Sequence, residues 1–125
     1  MIIEDRQKFI WVTATGQLSA SRSVELCGEA IALAKKEGLR RFLFDFQDAV
    51  PNLTFADIFR IPDQLRMVMP IPQNRTAIVY RRYRIIYRFV ETMTFNRGYQ
   101  VKVFEDMDEA MKWLIQDQTP APHEA

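Results

Sequence analysis

The sequence predicts an α/β fold: one domain with a mostly parallel sheet of about five strands, an antiparallel opening hairpin and about four helices. Three observations predict it. Short apolar runs of strand length alternate with longer segments whose apolar residues recur at helical spacing. Glycines, or serine, threonine and aspartate caps, fall at the junctions between them. No internal repeat and no linker-like stretch divides the 125 residues. Strands that alternate with helices imply parallel pairing through right-handed crossovers, because a twisted strand feeding a right-handed helix packs back on its sheet in that sense.

The elements follow in order. Residues Met1 to Glu4 and Phe9 to Thr15 read as the opening pair of strands, with Asp5-Arg6-Gln7-Lys8 as their turn and Gly16 as the end of the second. Ser19 is placed to cap a helix running to Glu37, with Val24, Cys27, Ile31 and Ala34 on its apolar face and Gly38 as its left-handed stop. Arg40 to Phe46 is a strand covered on both sides, with Phe42, Phe44 and Phe46 on one face and Leu43 on the other. A loop from Gln47 to Leu53 follows.

Thr54 and Asp57 have the spacing of a capping box, and Phe55, Ile58, Phe59 and Leu65 are expected to face inward from the helix they open. Pro62 lacks an amide proton, so a kink or break is expected near Ile61. Pro70 and Pro72 mark an extended connector to the apolar strand Thr76 to Tyr80. A helix from Arg84 to Arg97 turns Ile86, Phe89, Val90 and Met93 inward and stops at Gly98. Gln100 to Phe104 is the last strand. Asp106, with Glu109 three residues on, caps a final helix whose inner face is Ala110, Trp113 and Leu114. Residues 1–117 make the domain, and the tail 118–125 is expected to be disordered.

Composition narrows the function classes. The N-terminus has neither the basic start nor the apolar stretch of a signal peptide, and no apolar run approaches the roughly 18 residues of a membrane helix. A cytoplasmic protein is expected. The lone cysteine, Cys27, cannot form an internal disulfide, and a site built from several cysteines is excluded. Seventeen basic and sixteen acidic residues leave a net charge of +1, which argues against a general polyanion binder.

The stretches RRFLFDFQDA at 40–49, LTFADI at 53–58 and VKVFEDMDEAMKWL at 101–114 resemble the SpoIIAA-like branch of the STAS superfamily, small domains related to anti-sigma-factor antagonists and similar to Sec14-type lipid-binding domains. The resemblance spans Ile3 to Leu114. It implies a regulatory module. In regulatory members a serine in an Asp-Ser-Ser-Gly-like turn is phosphorylated by a partner kinase. Thr54 stands at the matching place, but Leu53, Phe55 and Ala56 replace the aspartate, the second small residue and the glycine. Phosphorylation of Thr54 is thus an implication of the resemblance, beside its plainer role as a helix cap.

The sharpest feature is charge. From Gln64 to Val90 there are six arginines and no carboxylate, and Arg81, Arg82, Arg84 and Arg88 alternate with Tyr83 and Tyr87. Arg81 and Arg82 would leave the carboxyl end of a central parallel strand, where open α/β sheets bind ligands, and sit at a helix amino end, which attracts anions. Arg81, Arg82 and Arg84, with Thr54 and Asp48 across the same edge, are the candidate ligand-binding residues for a phosphate- or carboxylate-bearing molecule or an acidic partner surface. The competing reading is a solvated basic face paired with Glu105, Asp106, Asp108 and Glu109. Arginines interleaved with stacking tyrosines also suit single-stranded nucleic acid, against which the net charge weighs.

No catalytic constellation is legible. The sole histidine, His123, lies in the tail, and Cys27 lies on an apolar helix face, where an inert thiol is expected. Asp45 is read as ending its strand and Asp48 as satisfying loop amides. Glycine-rich nucleotide cradles are absent. The sequence therefore points to a non-enzymatic regulatory or binding module without cofactor or metal, docking a protein partner or sensing a small anionic or lipidic ligand. The alternative is a carrier with an apolar pocket lined by Phe55, Phe59, Met67, Met69, Phe89 and Met93, which an enclosed cavity would favour and a filled core would not. Nine phenylalanines and two tryptophans also make a homodimer plausible.

Overall fold

Among the residues described by the computed structural model, 2–6, 9–68 and 75–116, the chain runs β1 (Ile2–Arg6), β2 (Phe9–Ser19), α1 (Ala20–Glu37), β3 (Arg41–Asn52), α2 (Phe55–Val68), β4 (Arg75–Val79), α3 (Arg84–Phe95), β5 (Gln100–Phe104) and α4 (Met107–Ile115). The sheet order is β1-β2-β3-β4-β5. β2 to β5 are mutually parallel, and β1 lies antiparallel along β2 from Ile2 opposite Thr13 to Arg6 opposite Phe9. Each parallel step moves one strand in the same direction, so crossovers of one hand put their helices on one face. Accordingly α1 packs on α2 and α2 on α3, while α4 alone covers the opposite face, against β3, β4 and β5.

Strand alternation feeds two cores. Phe42, Phe44 and Phe46 project toward α1–α3, their rings 6.4 and 5.6 Å apart in succession, and join Ile10, Val12, Leu26, Ile58 and Val90. Leu43 projects the other way, with Ala77 and Val79, onto Ala110 and Leu114 of α4. β4 is buried throughout, as a strand covered on both faces must be.

The caps form where the sequence puts them. Ser19 Oγ accepts from the Arg22 amide at 3.2 Å, and Gly38 ends α1 in the left-handed region at φ 70°. Asp106 accepts from the amides of Asp108 and Glu109. The inner face of α1 is Leu26, Ala30, Ile31 and Ala34, with Val24 and Cys27 at its margin rather than its centre.

Several expectations are corrected. Gly16 does not end β2; the strand continues to Ser19, with Gly16 at φ 76° inside it. Asp5 and Arg6 belong to β1 rather than to a turn, and Gln7 and Lys8 lie outside the described residues. The expected loop from Gln47 is strand as far as Asn52, because β3 absorbs an extra residue: Thr13 pairs with Asp45, but Thr15 pairs with Asp48. Asp45 therefore does not terminate the strand. Its Oδ1 accepts the Gln47 amide at 3.2 Å and the Gln47 side-chain amide at 3.0 Å, holding the bulge. Pro62 does not break α2, since its ring is fully buried and that packing offsets the lost hydrogen bond. α3 ends at Phe95, and β4 begins one residue early, at Arg75. The tail expected at 118–125 lies outside the described residues.

Candidate functional site

The bulge has a consequence at the carboxyl end of the sheet. An extra residue reverses the facing of everything after it. Ala49 therefore turns into the core and Asp48 out to solvent, although Phe42, Phe44 and Phe46 set the opposite parity. β2 and β3 run on past the last paired residue of β4, so Asp48 stands beside the chain leaving β4. There Arg81 Nη1 donates to Asp48 Oδ1 at 2.8 Å. Asp48 thus binds a guanidinium rather than loop amides. Both partners are more than half exposed, so the pair contributes at most about 1 kcal/mol.

Gln47, Asp48, Val50, Arg81, Arg82 and Tyr83 border a hollow of about 240 Å³. Arg82 is exposed, with no ion-pair partner among the described residues. Tyr83 takes the left-handed conformation (φ 68°, ψ 42°) at the head of α3 and caps it with no side-chain bond, and no acidic residue stands in the first turn. The amide end of α3 is thus open beside two arginines, an arrangement that favours anions. Of the five predicted site residues, three, Asp48, Arg81 and Arg82, meet here. Arg84 lies one step away, 3.9 Å from Glu105, which also accepts the Tyr80 hydroxyl at 3.1 Å. Burial, and then that bond to Glu105, hold the Tyr80 phenol above its usual range.

Thr54 is not part of this hollow. Its Oγ1 accepts the Asp57 amide at 3.0 Å while its own amide donates to Asp57 Oδ2 at 2.9 Å, the reciprocal pattern of a capping box. The Thr54 amide, foremost, holds the Asp57 carboxyl below its ordinary value. Tyr87, expected among the exposed arginines, is buried between Phe46 and Tyr80. Of RRYRIIYR, only Tyr83 is a tyrosine that could stack on an incoming base.

A second surface was not foreseen. Phe55 and Phe59, expected inside, are 56% and 57% exposed, and Ile85 is 74% exposed. Ile58, Ile61 and Pro62 take the inner face of α2 instead. Phe55 meets the half-buried Phe89 edge to face at 5.0 Å, joining α2 to α3. Beside them Phe55, Arg84, Ile85, Arg88, Phe89 and Thr92 line an open groove of about 660 Å³. The helical wheel carries the signal: Ile58, Ile61, Pro62 and Leu65 fall at i, i+3, i+4 and i+7, which leaves the Phe55–Phe59 pair on the shoulder.

Among the described residues the expected carrier lining comes together at Phe55 and Phe89, in an open groove rather than an enclosed cavity. Phe55 and Phe59 face outward, and the side chains of Met67 and Met69 lie outside the described residues. Burial pushes the Cys27 thiol up to about 12, so it stays protonated and unreactive near neutral pH. Among the described residues no cluster of histidine, cysteine and carboxylate side chains could hold a metal, and no helix is long and apolar enough to cross a membrane.

No protein-family model matches the sequence, and no curated protein matches it. Solved structures do. The anti-sigma factor antagonist SpoIIAA in its unphosphorylated form superposes with a TM-score of 0.55 at 14% identity, covering 93% of this chain and 98% of that one. The Bacillus cell fate determinant SpoIIAA in its phosphorylated form gives 0.53 at 13% identity over 90% and 96%. An uncharacterised DUF3478 protein with a SpoIIAA-like fold from Shewanella loihica PV-4 gives 0.52 at 20% identity over 90% of each. The chain has the SpoIIAA-like fold.

Proposed function

We propose, taking that fold as the premise, that the chain is a non-enzymatic regulatory module that docks a protein partner through the carboxyl end of its sheet and the adjoining face of α2 and α3. One observation carries the reading. Of the four large apolar side chains more than half exposed among the described residues of α2 and α3, Phe55, Phe59 and Ile85 lie toward the arginine-rich rim, and Phe95 lies at the far end of α3. Exposed apolar surface bordered by charge marks interaction sites more often than it is left idle.

The rim supports the same reading. Arg82 and the open end of α3 offer an anion a place, while Arg81 is already engaged by Asp48, and the hollow between them is small for a free ligand. An acidic group of a partner fits that place better than a sequestered small molecule. Two of the similar structures are of SpoIIAA, one unphosphorylated and one phosphorylated. We propose that the exposed Thr54, which stands at the matching place in the sequence resemblance, is where a regulating phosphate would be carried here. Intact-mass measurement on protein from its own host should then show a phosphate adduct that Thr54→Val removes; an unmodified mass under every growth condition would retire that part.

The docking reading is tested by a photo-crosslinking side chain placed in the host at position 59 or, as control, at Ala32 on the exposed side of α1. A discrete adduct from position 59 and none from position 32 is the expected result. Equal labelling from both, or none from either, would overturn it.

A further inference from the structure

We infer that the groove between α2 and α3 receives a single acidic, amphipathic helix of the partner protein. This rests on the docking reading and specifies its partner. Phe55 of α2 and the row Ile85, Phe89 and Thr92 of α3, about 10 Å long at the helical rise, line the groove, and the exposed Phe59 follows Phe55 by one turn outside that lining. An apolar row of that length with the Phe55 ring as a side wall suits a third helix whose apolar anchors repeat at i, i+3 or i+4, and i+7. An added strand would find nothing to pair with, because the walls are helices whose backbone groups are already bonded.

Charge selects the sign. Arg84 and Arg88 stand one turn apart beside the apolar row, both more than half exposed. Their carboxylate contacts are long, 3.9 Å to Glu105 and 3.8 Å to Glu91, so both guanidinium groups remain open to shorter contacts. Acidic residues flanking the apolar anchors would meet that pair. A flat anionic membrane suits the face less well, since Glu105 lies against Arg84 and Asp57 follows Phe55 by two residues, and a bilayer cannot avoid them as a narrow helix can.

The probe is a labelled leucine–glutamate peptide about five turns long, titrated against the full chain by fluorescence anisotropy. Controls are the leucine–lysine counterpart and vesicles of phosphatidylcholine with phosphatidylserine. Wild type should bind the glutamate peptide and not the lysine peptide. R84E/R88E should weaken it about tenfold, the effect of two exposed charge pairs of under about 1 kcal/mol each, and should gain the lysine peptide. I85D, at an exposed position that leaves folding intact, should weaken the glutamate peptide as well. Equal binding of the two peptides, indifference to R84E/R88E, or binding of vesicles but not peptide overturns the inference. If no peptide binds while position 59 still yields its discrete crosslink, the helix falls and docking stands; if that crosslink is missing too, both fall.

Discussion

Tyr87 precedes Arg88 in the most basic stretch of the chain and is buried in the core. An arginine-flanked tyrosine suggests an exposed ring, yet its ring stacks on Tyr80 at 5.2 Å, and its hydroxyl is buried with no hydrogen-bond partner among the described residues. Burial, then the nearby Tyr83, raise its phenol far above the usual range. Tyr87→Phe removes the unpaired group and keeps the ring, so it should leave stability unchanged or raise it by about 1 kcal/mol in urea denaturation. Cys27 makes a pH prediction. Its folded value near 12 exceeds the ordinary 9.0, so between those values the unfolded chain has released a proton that the folded chain keeps. Stability should fall as pH rises through that window, and Cys27→Ala should flatten the fall. A curve identical to wild type would show the thiol to be less enclosed than it is here.

At the scale of elements, two side chains fasten the periphery of the sheet. Arg75 opens β4, buried, and its Nη1 donates to the carbonyls of Trp113 at 2.7 Å and Gln116 at 2.9 Å, with its guanidinium 5.2 Å from the Trp113 ring. It thus holds the carboxyl end of α4, where a cation is favoured. Desolvation lowers its pKa, though guanidinium stays charged. Arg75→Ala should cost about 2–3 kcal/mol, and lysine should rescue little of it, since one ammonium cannot reproduce the planar contact with indole. Glu91 of α3 accepts the Val103 amide of edge strand β5 at 2.8 Å. An exposed edge is a template for pairing with other chains. Glu91→Ala should therefore lower stability by about 1–2 kcal/mol and produce concentration-dependent association in analytical ultracentrifugation; a strictly monomeric variant would contradict the sealing role.

Across the whole molecule, among the described residues, a buried core adjoins an exposed apolar face. Ile58 of α2 and Tyr87 and Val90 of α3 belong to the core, whereas Phe59 and Ile85 are 57% and 74% exposed. Replacing both with aspartate should leave Tm within a few degrees of wild type, as surface changes usually do, while the crosslink from a neighbouring position such as Phe55 disappears. A large loss of Tm would mean that the face is structural rather than a docking surface.

The sequence by itself determined the elements and those ends that a local cap sets. Ser19, Thr54 and Asp106 act as caps, and Gly38 as a stop, because capping depends on neighbours within one helical turn. It determined the facing of Phe42, Leu43 and Phe44, because strand alternation is local. Tertiary structure decided what crosses between elements. The bulge at Phe46 and Gln47 exists only in register with β2, and it turned Asp48 outward to Arg81. The packing of α2 between α1 and α3 left Phe55 and Phe59 outside, which no count of apolar residues on one helix decides. Arg81, Arg82 and Asp48 come together because β3 outruns β4; Thr54 does not join them, because its cap belongs to α2 alone. A pattern within one element fixes which side is apolar, and only the partner elements fix how much of that side is covered.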